Sequence, residues 1–141
     1  MAKNPLVIVV FALVLSVLSG LTIVACGSEQ SELVFQMVAQ DGSGQAGTVT
    51  LTADGPRTEI VVKVSPGPPA DDPQPLHVHF GSCGVNLGGV DIPLNDLTAG
   101  ESVTVVDSSL SELRDGNHAV NLHKSNSEIR AYTACGDIPN G

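Results

Sequence analysis

His77-Val78-His79 places two imidazoles two residues apart inside the apolar run from Leu76 to Phe80. A strand repeats every two residues, so both rings share one face and Val78 takes the other. Two imidazoles that close chelate one ion, and neutral imidazole suits copper, zinc, nickel or iron. Alone, the pair is a weak signal. Ala119-Val120-Asn121-Leu122-His123 supplies a third candidate, because a strand there sets His123 on one face with Ala119 and Asn121. His118 differs from His123 by an odd number of positions. A regular strand turns it to the opposite face, where it reads as a surface or core histidine and not as a ligand.

Strands must therefore position this chemistry, and the chain is rich in them. Runs at 33–38, 47–52, 59–64, 76–80, 102–106, 118–123 and 129–134 are β-type, and many alternate apolar with polar residues. Turn-formers separate them, as in Asp41-Gly42-Ser43-Gly44 and Ala53-Asp54-Gly55-Pro56. Short strands at this spacing predict an all-β, antiparallel sandwich or barrel. Residues 65–75 are proline-rich with two adjacent acids, so they form a surface connection outside any ladder. Residues 107–113, with cap-type residues before Leu110 and Leu113, predict one helical turn.

Residues 1–25 carry one cation, Lys3, followed by an apolar stretch ending in Ile23-Val24-Ala25-Cys26. A charged start, an apolar middle and small residues at the end make a secretory signal. The ending resembles the lipobox of bacterial lipoproteins, which implies cleavage before Cys26 and a lipid on its sulfur. The alternative is an uncleaved anchor, since about 20 apolar residues span a bilayer; the small residues before the cysteine have no role in that reading. Either way the remainder faces outward, at the cell surface or on the periplasmic side of the membrane. Residues 26–32 read as a polar tether and 33–141 as one domain.

Beyond Cys26 the cations are Arg57, Lys63, Arg114, Lys124 and Arg130, set against all 15 acids of the chain. That balance argues against nucleic acid as a partner. With no Trp and 3% aromatic residues, a base-stacking or sugar-stacking surface is not expected either. Assigning Cys26 to lipid leaves Cys83 and Cys135 as a pair in an oxidising compartment, where a disulfide is the default and two free buried thiols the alternative.

Three segments resemble the copper/zinc superoxide dismutase family. Leu76-His77-Val78-His79-Phe80-Gly81-Ser82-Cys83 is similar to the stretch where two copper ligands precede a disulfide cysteine. Val120-Asn121-Leu122-His123-Lys124-Ser125 is similar to the later strand whose end supplies another copper histidine. Ala134-Cys135-Gly136-Asp137-Ile138 is similar to the C-terminal motif holding the second cysteine. The resemblance runs over about residues 33–139. It implies a Greek-key, immunoglobulin-like sandwich, one copper ion on His77, His79 and His123, and a Cys83–Cys135 bridge.

Two departures from that family stand out. Its long loop carries a histidine bridging copper to zinc and further zinc ligands, whereas residues 84–107 contain no histidine. Zinc is therefore not expected, and the bridging copper ligand is missing. Tyr132 also occupies the position of the family's anion-guiding arginine. Arg130, two residues earlier, would share the face of Tyr132 on a regular strand and is the candidate catalytic cation; a solvated surface cation is the alternative. Gly84-Val85-Asn86, Asn121-Leu122-His123 and Glu128-Ile129-Arg130 also resemble the chordin-type CHRD domain, which implies a related sandwich used for binding.

Copper on three imidazoles with an open position matches superoxide dismutation, superoxide being the small anion that enters. Without the bridging histidine, water must deliver the proton that it would supply. The expectation is a copper-only, dismutase-like lipoprotein, with a copper-storing or CHRD-type binding module as the competing class and purely structural histidines as the third.

Overall fold

Period-two alternation builds most of this chain. In β1 (Glu32–Ala39) Leu33, Phe35 and Met37 are buried while Val34, Gln36 and Val38 point outward. β2 (Ala46–Asp54) and β3 (Arg57–Ser65) repeat the pattern with Val49 and Leu51, then Ile60, Val62 and Val64. β4 (Leu76–Gly81), β5 (Leu87–Pro93), β6 (Glu101–Val106), β7 (His118–His123) and β8 (Tyr132–Asp137) follow, with one turn of helix, α1 (Leu110–Leu113), between β6 and β7. The computed structural model describes residues 31–141. The expected signal at 1–25, Cys26 and the tether as far as residue 30 lie outside the described residues. Among the described residues no helix is long and apolar enough to cross a membrane.

The strands form one curled, antiparallel sheet in the order β5-β4-β7-β8-β1-β2-β3-β6. Only four consecutive pairs are neighbours; β3 to β4, β5 to β6 and β6 to β7 cross between non-adjacent strands, a Greek-key habit. The all-β expectation therefore holds. The proline-rich connection is the β3–β4 crossover, and the helical turn is sealed by a capping box between Ser109 and Glu112. β1 and β8 meet at a short seam, Val38 opposite Cys135 and Ala39 opposite Ala134. Gly136 fits beside it because a Cβ there would sit 2.5 Å from the Gln36 carbonyl oxygen.

Leu76 and Val78 of β4 and Val120 and Leu122 of β7 enter the apolar interior and are 0% exposed. Burying these four side chains fully contributes about 1.5–3 kcal/mol each. It also fixes the register: β4 lies against β7 with His77 opposite Asn121 and His79 opposite Ala119. A slip of one residue would move the histidines into the core, so the packing of their neighbours holds them on the outer face.

Two sequence expectations need correction. β5 had no counterpart among the predicted runs, because Gly88 and Gly89 weaken strand propensity and its residues are mostly exposed, without a clear alternation. The run at 129–134 is a turn followed by a strand. Ser125 Oγ accepts the Glu128 amide at 3.1 Å, the Ala131 amide donates to Glu128 O at 2.9 Å, and the Lys124 amide donates to Ala131 O at 2.8 Å. Backbone groups used in this local turn are not free for a ladder, and β8 begins at Tyr132. Arg130 consequently lies exposed in the turn and does not share a strand face with Tyr132.

Candidate metal centre

Each of the three imidazoles is delivered by a different local device. His77 and His79 come from β4 by strand period alone. His123 ends β7, where its pairing with Tyr132 follows a break in register after Leu122. The backbone there is gripped on both sides. His123 N donates to Pro75 O at 2.9 Å, and Gln74 Nε2 donates to His123 O at 3.1 Å. Gln74 is itself locked in a reciprocal amide pair with Gln45, at 2.8 and 3.0 Å. A buried glutamine pair carries no sequence signature, and Gln74 was not among the predicted site residues.

The ring nitrogens converge. His77 Nδ1 lies 2.8 Å and His79 Nε2 3.3 Å from His123 Nε2. One nitrogen from each ring lies within 4.8 Å of the others, so His77, His79 and His123 form a group able to hold a metal ion. His79 and His123 are each 3% exposed, whereas His77 is half-buried and marks the open side. The edge of the Tyr132 ring closes over them, its centroid 5.1 Å from that of His123 and 6.3 Å from that of His79.

Carbonyl oxygens set the tautomers. His79 Nδ1–H donates to Gly88 O at 2.9 Å, and His123 Nδ1–H donates to Ile129 O. A carbonyl only accepts, so both rings carry their proton on Nδ1, and the two Nε2 lone pairs face each other across 3.3 Å. In the metal-free protein His123 Nε2 accepts from His77 Nδ1–H at 2.8 Å, and an ion held on the three rings would take the place of that proton. Backbone carbonyls orienting ligand imidazoles are the usual outer support of a metal site. The Gly88 carbonyl belongs to β5, which explains what the unforeseen strand does.

Burial favours the neutral rings. The pKa of His77 is lowered chiefly by desolvation and then by His123 and His79, with Asp96 opposing. That of His123 is lowered mainly by desolvation, against the raising effect of its hydrogen bond to Ile129 O. Neutral imidazole is the metal-binding form.

No family model, curated protein or solved structure matches this chain. The site is therefore read from its own geometry. Cys83 and Cys135 are joined in a disulfide beside the histidine face, where Cys135 on β8 pairs with Asn121 on β7. His118 lies elsewhere, between two carboxylates, with Nε2 3.1 Å from Asp91 Oδ2 and Nδ1 2.9 Å from Asp115 Oδ1. Arg130 is exposed in the turn that presents the Ile129 carbonyl to His123, and among the described residues it makes no ion pair.

Proposed function

We propose that this chain is an extracytoplasmic, lipid-anchored copper protein of the superoxide dismutase-like kind, holding one copper ion on His77, His79 and His123. The observation that carries the reading is the pair of Nε2 lone pairs aimed at each other by the Gly88 and Ile129 carbonyls, with His77 Nδ1 beside them. Three neutral nitrogen donors with no carboxylate among them favour copper, because cupric ion forms the strongest complexes of the first-row divalent metals. The Greek-key sheet and the bridge from Cys83 to Cys135 agree with the family resemblance of the three motifs.

Copper held there supplies a one-electron couple, and the reaction such a couple serves is dismutation of two superoxide anions and two protons to dioxygen and hydrogen peroxide. The chain's own residues contribute access and orientation. His77 lies on the open side, the Tyr132 ring packs against His123 and lies near His79, and Arg130 offers an exposed positive charge to an arriving anion in an otherwise acidic protein. No histidine in 84–107 is placed to pass on a proton, so protons come from water.

The absence of a bridging histidine in 84–107 and the near-complete burial of two of the three rings also favour a second reading, copper capture without turnover. Metal content and superoxide turnover of the protein beginning after Cys26 separate the two. Stoichiometric copper with rapid turnover supports the dismutase, and stoichiometric copper without turnover supports capture. Failure to bind copper sinks both. Mass spectrometry of the membrane form tests the anchor: an acylated N-terminal Cys26 is expected, and an intact 1–25 segment would exclude it.

A further inference from the structure

Asn121 is 0% exposed and sits in the middle of the outer face of β7, opposite His77 on β4 and Cys135 on β8. Its Oδ1 is, among the described residues, the one buried side-chain nitrogen or oxygen with no hydrogen-bond partner. A buried amide oxygen without a donor destabilises a fold, and a leucine fills similar space without that cost. Something other than packing therefore accounts for an amide here.

Position supplies the account. Asn121 Nδ2 lies 3.5 Å from His123 Nε2, the same nitrogen on which the imidazoles converge. A half-turn about Cβ–Cγ exchanges the two ends of an amide and brings Oδ1 to that place. Donors bound at about 2.0–2.2 Å to one ion are about 3–3.5 Å apart when the angles between them are between square and tetrahedral. The 3.3 Å between His79 and His123 and the 3.5 Å to the Asn121 amide are such spacings. We propose that Asn121 is the fourth donor of this centre, its side-chain carbonyl oxygen completing a three-nitrogen, one-oxygen set from the floor of the sheet while the side of His77 stays open to an incoming ligand.

This inference rests on reading His77, His79 and His123 as a metal centre. A neutral amide oxygen is a weaker and harder donor than an imidazole, so it adds affinity without closing the coordination sphere with a fourth nitrogen.

The test uses the full-length protein in detergent, loaded with Cu(II), beside Asn121→Leu and Asn121→Asp. Affinity is read by competition with a chelator, ligation by electron paramagnetic resonance, and metal-free stability by thermal unfolding. Asn121→Leu is expected to raise the melting temperature of the metal-free protein while weakening Cu(II) at least about tenfold and shifting the copper hyperfine splitting. Asn121→Asp, with an anionic oxygen at the same place, is expected to bind at least as tightly as wild type with a spectrum of its own. Wild-type affinity and spectrum in Asn121→Leu overturn the assignment. Where that variant does not fold, an Asn121→Asp spectrum identical to wild type overturns it instead. Wild-type protein that binds no Cu(II) removes the metal centre itself, a result distinct from either.

Discussion

His77 Nδ1 and His123 Nε2 are 2.8 Å apart although they lie on different strands, because His77 faces Asn121 across the β4–β7 ladder and His123 follows two residues later on the same face. The contact is diagonal, so both strands are needed for it. Removing any one imidazole leaves two rings, which hold an ion far less firmly. His77→Ala, His79→Ala and His123→Ala are each expected to weaken Cu(II) by about 100-fold or more, at or beyond the top of the range for losing an outer-shell partner. Isothermal titration or chelator competition reads the change. Unchanged binding in the triple variant would make the histidines structural and the dismutase resemblance one of fold alone.

The lowered pKa values of His77 and His123 predict how the metal-free protein responds to acid. Both rings are held below the ordinary histidine value of 6.5, so the unfolded chain takes up protons first as pH falls. Stability is then full above pH 6.5 and is lost as pH drops through that value toward the folded-state pKa values. Asp115 is lowered by its hydrogen bond from the Asn117 amide and Glu112 by those from Ser109, and they act only nearer their own ordinary values of 3.8 and 4.5. Urea midpoints between pH 8 and 5 should therefore decline, and His77→Ala with His123→Ala should flatten the decline. A midpoint that rises on acidification contradicts the sign.

The disulfide spans a sequence separation of 52 and fastens the β4–β5 turn to the last strand, where the Cys83 amide also donates to Asp137 Oδ1 at 2.7 Å. Closing so long a loop in the unfolded chain is worth about 4 kcal/mol. Replacing both cysteines by Ala is expected to cost that order of stability in denaturant titrations. Copper affinity should fall as well, because the Gly88 carbonyl that orients His79 belongs to the hairpin so released. Wild-type midpoints in the double variant would show that the bridge stabilises nothing.

Much of the site can be read from residue spacing, and the reason is strand geometry. His77 and His79, and Asn121 with His123, share faces because the period of a strand is two and Val78, Val120 and Leu122 are bound for the core. What spacing does not reveal is carried by backbone groups and by strands with weak patterns. Gly88 O and Ile129 O orient two of the rings, and any residue has a carbonyl. β5 lacks the alternation by which strands are recognised. Residues 129–134 look like a strand, but Ser125 and Glu128 close a turn first and Arg130 falls within it. Asn121 was legible as a residue of the histidine face, yet its unpartnered oxygen emerges only once β4 and β8 are packed beside it.

His118 supplies the control, and its own role is a separate claim. It is 8% exposed, and its two nitrogens meet Asp91 Oδ2 at 3.1 Å and Asp115 Oδ1 at 2.9 Å. Asp91 lies on β5, an outer strand whose pairing with β4 is interrupted by two register shifts. A clasp from β7 to that strand offsets the weak ladder. His118→Ala leaves Asp91, whose side chain is 28% exposed, without its partner, and a cost of about 1–3 kcal/mol is expected. Amide exchange in β5 should quicken, and a double-mutant cycle with Asp91→Asn should return a coupling of about 0.5–3 kcal/mol. Copper affinity should stay close to wild type, since His118 does not reach the three converging rings. An affinity loss as large as that of His123→Ala would place His118 among the ligands and overturn the strand register on which the site is built.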